Sequence, residues 1–147
     1  MTSDSVAGVS AGEYAELMAL MPFAAGVGVE LEMATAEQVT GRLAWSADRC
    51  TAGGMLHGGA LMTLADSVGA ICAYLNLPSG ATTSTLSSST AFLRAVRHGH
   101  ARATALPLHI GRTSIVVQIQ VRDDHDRPVA QIIQTQAILA SRPSEST

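Results

Sequence analysis

From Val27 onward apolar and polar positions alternate, with Val27, Val29, Leu31 and Met33 set against Gly28, Glu30 and Glu32. A period of two puts each class of side chain on its own face, so this stretch predicts a half-buried strand. Val39, Gly41, Leu43 and Trp45 repeat the pattern after a turn near Ala36-Glu37 and predict a second strand. Upstream, Tyr14 to Met21 carries apolar residues at helical spacing and stops at Pro22, which predicts a short helix. A loop, Ser46 to Leu56, leads into His57–Leu75, a run of helix length closed by Asn76 and Pro78. Its apolar residues fall on every face, and a helix apolar all round is expected to be buried all round. Strand-like runs follow at Ala81–Leu93, Ala101–Ile110, Thr113–Arg122 and Val129–Leu139, with turns at Gly99 and Gly111 and a hairpin loop at Asp123–Pro128.

The order is thus helix, two strands, one long helix, then four strands on short loops. Short connections predict antiparallel neighbours. A single buried helix beside one antiparallel sheet must be wrapped by it, an α+β arrangement with segregated elements. The sheet's other face and its edges should seek a partner, so dimerisation is expected. Residues 1–147 are expected to form a single domain, with frayed tails at 1–10 and 141–147, rich in Ser, Thr and Gly.

Composition narrows the function classes. The chain is 47% apolar, 14% charged and only 3% aromatic, so Val, Leu, Ile, Ala and Met must build the core and few charges remain to coat a monomer. A net charge of −3 and a pI near 5.9 argue against nucleic acid as the main partner. The nine basic residues are all Arg, in no block that reads as an anchor. Cys50 and Cys72 lack CxxC spacing, which suits a reduced, cytoplasmic chain. No long apolar run or export-type leader is evident, so neither a membrane nor export is expected.

Asp66 is the one charged residue of the long helix. A buried carboxylate is costly unless it is paired or faces a cavity. It reads either as a structural acid bonded to a neighbouring element or as a catalytic base or nucleophile. Thr63, Asp66 and Ala70 share one narrow, polar and small stripe. His57-Gly58-Gly59 sits where the helix begins, where free amides stabilise negative charge and paired glycines admit a ligand. It reads either as a capped turn or as an oxyanion site whose donor is the Gly58 amide. Eight residues separate Gly58 from Asp66, roughly 12 Å at 1.5 Å rise per residue, so one acyl carbon cannot touch both on one chain. If both act, they come from different protomers. Thr85 and the Ser87–Thr90 run carry hydroxyls on the strand after the helix, while Arg94, Arg97 and Arg112 stand at strand ends, fit for phosphates or for solvent. His98, His100, His109 and His125 show no metal-ligand spacing, so no metal is expected. GxSxG and phosphate-loop motifs are absent.

The stretch "LHGGALMTLADSVGA" resembles the signature of the hot-dog thioesterase superfamily, in the branch of the phenylacetate-degradation, Arthrobacter-type 4-hydroxybenzoyl-CoA and human acyl-CoA thioesterase 13-like enzymes. The likeness runs from about Val27 to Leu139 and includes "TAFLR", "GRTSIVVQIQVRDD" and "RPVAQIIQTQAIL". It implies a hot-dog fold, an antiparallel sheet of about six strands wrapped around one central helix. It also implies hydrolysis of acyl-CoA, with coenzyme A as part of the substrate and no cofactor, by a homodimer that pairs into a dimer of dimers. By the same resemblance Gly58 is the oxyanion donor, His57 orients the thioester, Asp66 comes from the opposite protomer and Thr85 orients water. Thr51 stands where relatives carry Asn or Gln, and Ala95 where they carry Pro. Gly59, Thr63, Arg94 and Arg112 are the expected substrate-binding residues, with the two arginines near the nucleotide. The alternatives are a hot-dog hydratase or dehydratase, whose expected motifs are absent, and a non-catalytic acyl-CoA-binding protein of the same fold.

Overall fold

The computed structural model describes residues 10–141. Helix α1 spans Ala11–Ala19 and α2 Pro22–Val27, followed by strands β1 (Glu30–Ala34) and β2 (Val39–Ala44) and a single 3-10 turn at Ala47–Arg49. The long helix α3 (Gly58–Tyr74) comes next, then β3 (Thr82–Phe92), β4 (His100–Ile110), β5 (Ser114–Arg122) and β6 (Pro128–Leu139). The tails at 1–9 and 142–147 lie outside the described residues, which begin at Ser10. It caps α1 in a reciprocal box, accepting from the Glu13 amide while the Glu13 carboxylate accepts from the Ser10 amide.

Two boundaries differ from the sequence pattern. Pro22 does end α1, but it also opens α2, because the first helical position needs no N–H. Val27 and Gly28 therefore finish a helix, with Gly28 at φ +109°, and the first strand starts only at Glu30.

All six strands form one antiparallel sheet in the order β1-β2-β4-β5-β6-β3. The expectation that strands joined by short loops are neighbours holds for β4-β5-β6 and fails for β3. That strand pairs with β6 at the far edge, and the chain then crosses back to place β4 against β2. The reason is α3: the sheet must close around it, and the strand leaving the helix takes the open edge.

The concave face packs on α3. Its inward residues are Val39 and Leu43 on β2, Ala101, Ala103 and Ala105 on β4, and Ile115, Val117, Ile119 and Val121 on β5, all fully buried. Small residues line β4 because the helix passes close. A close passage is at Gly41, where a Cβ would stand 2.8 Å from Val68 Cγ1 and 3.0 Å from the Glu30 carbonyl. A core of Ala and β-branched residues thus explains how a chain so poor in aromatics packs densely.

The helix is not buried all round. Met62, Asp66 and Tyr74 lie on a stripe that stays exposed among the described residues, Met62 at 41% and Tyr74 at 46% exposure. Beside that stripe runs β3, eleven residues long and exposed along most of its length, including Leu86 at 67% and Phe92 at 52%.

The Gly41 contact yields a stability prediction. Gly41→Ala should destabilise by about 1–3 kcal/mol, the usual cost of overpacking against backbone and a core valine. Chemical denaturation checks this, and a midpoint equal to wild type at unchanged slope would mean that α3 does not ride on β2 at that spacing.

Candidate active site

The His57–Gly59 turn is held from several sides. Arg49 donates through Nε to the Val27 carbonyl (2.5 Å) and through Nη1 to the Ala44 carbonyl (2.9 Å), tying the loop to the ends of α2 and β2. The Arg49 carbonyl accepts from the His57 amide at 2.9 Å, and the Leu56 amide donates to the Val96 carbonyl. Trp45 Nε1 donates to the Gly54 carbonyl and fixes the loop tip. His57 is the N-cap of α3, its Nδ1 accepting from the Gly59 amide at 2.8 Å. With Nδ1 an acceptor, the neutral ring carries its proton on Nε2. The cap consumes the Gly59 amide. The Gly58 amide donates to no protein acceptor among the described residues, so it is the free donor at the positive end of the helix.

Two cavities flank the turn. One, about 450 Å³, is lined by Phe23, Arg49, Cys50, His57, Gly59 and Thr63 among others. The other, about 350 Å³, includes Thr51, Gly58, Phe92, Leu93 and Arg94. The structure therefore brings Thr51 and Arg94 to Gly58, and Thr63 to His57. The Thr63 hydroxyl donates to the Gly59 carbonyl at 2.8 Å, so its proton is already engaged within the helix.

Asp66 lies two turns further along α3, on the exposed stripe, and lines neither cavity. Its Oδ1 accepts from Thr85 Oγ1 at 3.0 Å and from Gln134 Nε2. Thr85 in turn accepts from Gln136 Nε2 at 2.8 Å. The site thus joins α3 to β3 and β6.

A β-bulge makes this geometry. Thr85 pairs with Gln136 and Ser87 with Thr135, leaving Leu86 as the extra residue. The bulge reverses the alternation, so Thr85 and Phe92, of opposite parity, both face α3. Thr85 reaches Asp66, and Phe92 packs at Gly58, where a Cβ would stand 3.3 Å from the ring.

Arg94 and Arg112 do not converge within one chain. Arg94 follows β3 near Val129, whereas Arg112 precedes the Thr113 carbonyl that accepts from Ile138, at the other end of β6. The sequence reading missed Gln134, Gln136, Phe92 and Arg49. The glutamines had a signal: in the run Ala130, Ile132, Gln134, Gln136 they occupy the phase of the apolar, inward positions. Phe92 had none, because its facing depends on the bulge.

Among the described residues no group of three or more His, Cys, Asp or Glu side chains is placed to hold a metal ion, and no helix is long and apolar enough to cross a membrane.

A central acid-bearing helix capped by an HGG turn and wrapped by this sheet is the architecture of the hot-dog thioesterases. The chain belongs to the thioesterase superfamily, whose profile matches residues 53–130. It is 35% identical over 86 residues to the 1,4-dihydroxy-2-naphthoyl-CoA hydrolase of Escherichia coli, a match covering 58% of this chain and 63% of that one, less than two thirds of its length. In structure it is similar to a mutant form of thioesterase PA1618 of Pseudomonas aeruginosa, with a TM-score of 0.81, 27% identity and coverage of 90% and 97% of the two chains. It shares the fold of the Escherichia coli PaaI protein from the phenylacetic acid degradation operon, at a TM-score of 0.79, 20% identity and coverage of 88% and 94%.

The capping geometry is testable by itself. His57→Ala should lower stability by about 0.5–2 kcal/mol by orphaning the Gly59 amide, and His57→Asn should recover most of the loss, since Asn caps well. Denaturation midpoints decide it; equal stability of the two variants would show that the Nδ1 bond is not a working cap.

Proposed function

We propose that this protein hydrolyses acyl-CoA thioesters to the free acid and coenzyme A, at a site shared between two copies of the chain. The observation that carries the reading is the separation on one helix of a free amide and an exposed carboxylate. The Gly58 amide has no acceptor among the described residues, the Asp66 carboxylate is exposed, and roughly 12 Å of α3 lies between them.

A second copy resolves the separation. The outer edge of β3 presents unpaired backbone and exposed apolar side chains, a template for another strand. Two β3 strands pairing antiparallel about their middle would set the Phe92 end of one, with its Gly58 turn, against the Thr82–Thr85 half of the other, where Asp66 is bonded. The same pairing would bring Arg112 of one copy to the Arg94 end of the other, assembling a basic rim for the phosphates of coenzyme A. The exposed stripe of α3 would be covered at the same time.

In such a site the thioester carbonyl oxygen accepts from the Gly58 amide, and that bond strengthens as negative charge develops there. Asp66 then either takes a proton from an attacking water, which it passes to the departing CoA sulfur, or attacks the carbonyl carbon itself, expelling the CoA thiolate and forming a mixed anhydride that water hydrolyses to the free acid. His57 lines the larger cavity, and with Nδ1 taken up by the cap its Nε2–H is the donor left to hold the acyl or thioester group. Thr51 offers one hydroxyl beside Gly58, where an amide side chain would offer more.

Release of free thiol over a panel of acyl-CoAs tests the activity. Asp66→Asn should cost at least about 10²-fold in turnover with the fold and oligomer intact, the scale expected for a general base. Turnover within a few-fold of wild type would remove Asp66 from the chemistry.

Mixing tests the shared site. Asp66→Asn subunits refolded together with Gly58→Val subunits should regain activity, because each mixed dimer carries one intact composite site. Confirmed heterodimers with no more activity than either parent would place both groups in one chain or neither.

A further inference from the structure

We propose that Gln134 and Gln136 are positioning residues that clamp Oδ1 of Asp66 and leave Oδ2 as the reacting oxygen. This inference rests on the thioesterase reading and adds residues that neither the signature nor the cavities contain.

Both glutamines are fully buried, on the face of β6 that packs against α3. Neither can touch a substrate. Gln134 Nε2 donates to Asp66 Oδ1, while its Oε1 is buried without any donor. That oxygen is wedged against Gly69, where a Cβ would collide with it and stand 3.0 Å from Ile119 Cδ1. Glycine at 69 is therefore what lets the amide lie flat on the helix and reach the carboxylate one turn back. The reverse orientation of the amide would set its oxygen against the carboxylate, two acceptors face to face, so the donor direction is fixed.

Gln136 works one bond further out. Thr83 Oγ1 lies 3.2 Å from Gln136 Oε1, Gln136 Nε2 donates to Thr85 Oγ1, and Thr85 spends its single proton on Asp66 Oδ1. Every donor in the chain Gln136–Thr85–Asp66 points the same way. Oδ1 thus receives two donors from two strands, and Oδ2 receives none among the described residues.

Asp66 is exposed, so Oδ2 faces outward while Oδ1 is held from within, and a core position such as 134 would be better filled by an apolar residue unless its amide has a task. Retaining a buried amide with an orphaned oxygen makes sense where it fixes the rotation of a reacting group. Thr85 accordingly acts on the carboxylate, held by Gln136, and is not free to orient water through its own proton.

The test measures kcat and KM for wild type, Gln134→Met, Gln136→Met, Thr85→Val and the Gln136→Met/Thr85→Val double variant, with thermal denaturation to confirm folding. Gln134→Met should lower kcat by about tenfold or more with KM within about twofold, since misplacement on the order of 1 Å is costly in rate while binding is untouched. Gln136→Met should lower kcat by a few-fold alone and cause no further loss once Thr85 is Val, because the relay is already cut. Wild-type kcat in a folded Gln134→Met enzyme, or an effect on KM alone, overturns the proposal. If Gln134→Met does not fold, the second cycle decides: an equal loss from Gln136→Met with and without Thr85 overturns it. A wild type that releases no thiol removes the thioesterase reading and this inference together; an Asp66→Asn protein at full rate removes Asp66 from the chemistry, and with it this inference, while hydrolysis itself stands. A dead Asp66→Asn beside a normal Gln134→Met overturns the inference alone.

Discussion

The fold hangs on the close passage of α3 across the concave face of one sheet. Where the helix meets β2 a glycine is required at position 41, and where it meets β6 another is required at 69. Between them the buried positions of β4 are all alanine. Packing this close leaves no slack, so the register of every inner strand is tied to the helix and the helix cannot rotate. That rigidity is what allows a carboxylate on α3 to be aimed from a strand.

The same constraint leaves one side of the helix uncovered. A six-stranded sheet wraps most of α3 but ends at β3, and the stripe carrying Met62, Asp66 and Tyr74 emerges beside that edge. In a chain with so few charged residues, an exposed carboxylate flanked by exposed apolar side chains marks a surface made to be covered. In the shared site proposed above, the positive end of α3 and the acid two turns along it are complementary halves, joined by a two-fold arrangement along the β3 edge.

Polar groups inside the sheet carry a second layer of organisation. Gln134 and Gln136 occupy inward positions that the strand pattern reserves for apolar side chains, and both end on the Asp66–Thr85 pair. The Leu86 bulge serves the same end, since without it Thr85 and Phe92 would face opposite sides of β3. Irregularities in the ladder and in the hydrophobic pattern therefore coincide at one place, where local rules yield to the needs of a site.

Much of the architecture was legible in the linear pattern. Periods of two and of helical spacing located six strands and the long helix, and the HGG turn followed at a fixed interval by a lone acid located the two chemical groups, because helix geometry converts sequence spacing directly into distance. What spacing cannot reach is pairing. The transfer of β3 to the far edge, the second helix opened by Pro22, and the exposure of one helical stripe all depend on which surfaces close around α3. So does the bond network of Asp66, whose donors lie 19 and 68 residues away. The sequence by itself determined the six strands, the long helix and the spacing of its HGG turn and lone acid; only the tertiary packing decided which strand lies at the edge, which way Thr85 faces, and which oxygen of Asp66 is left free.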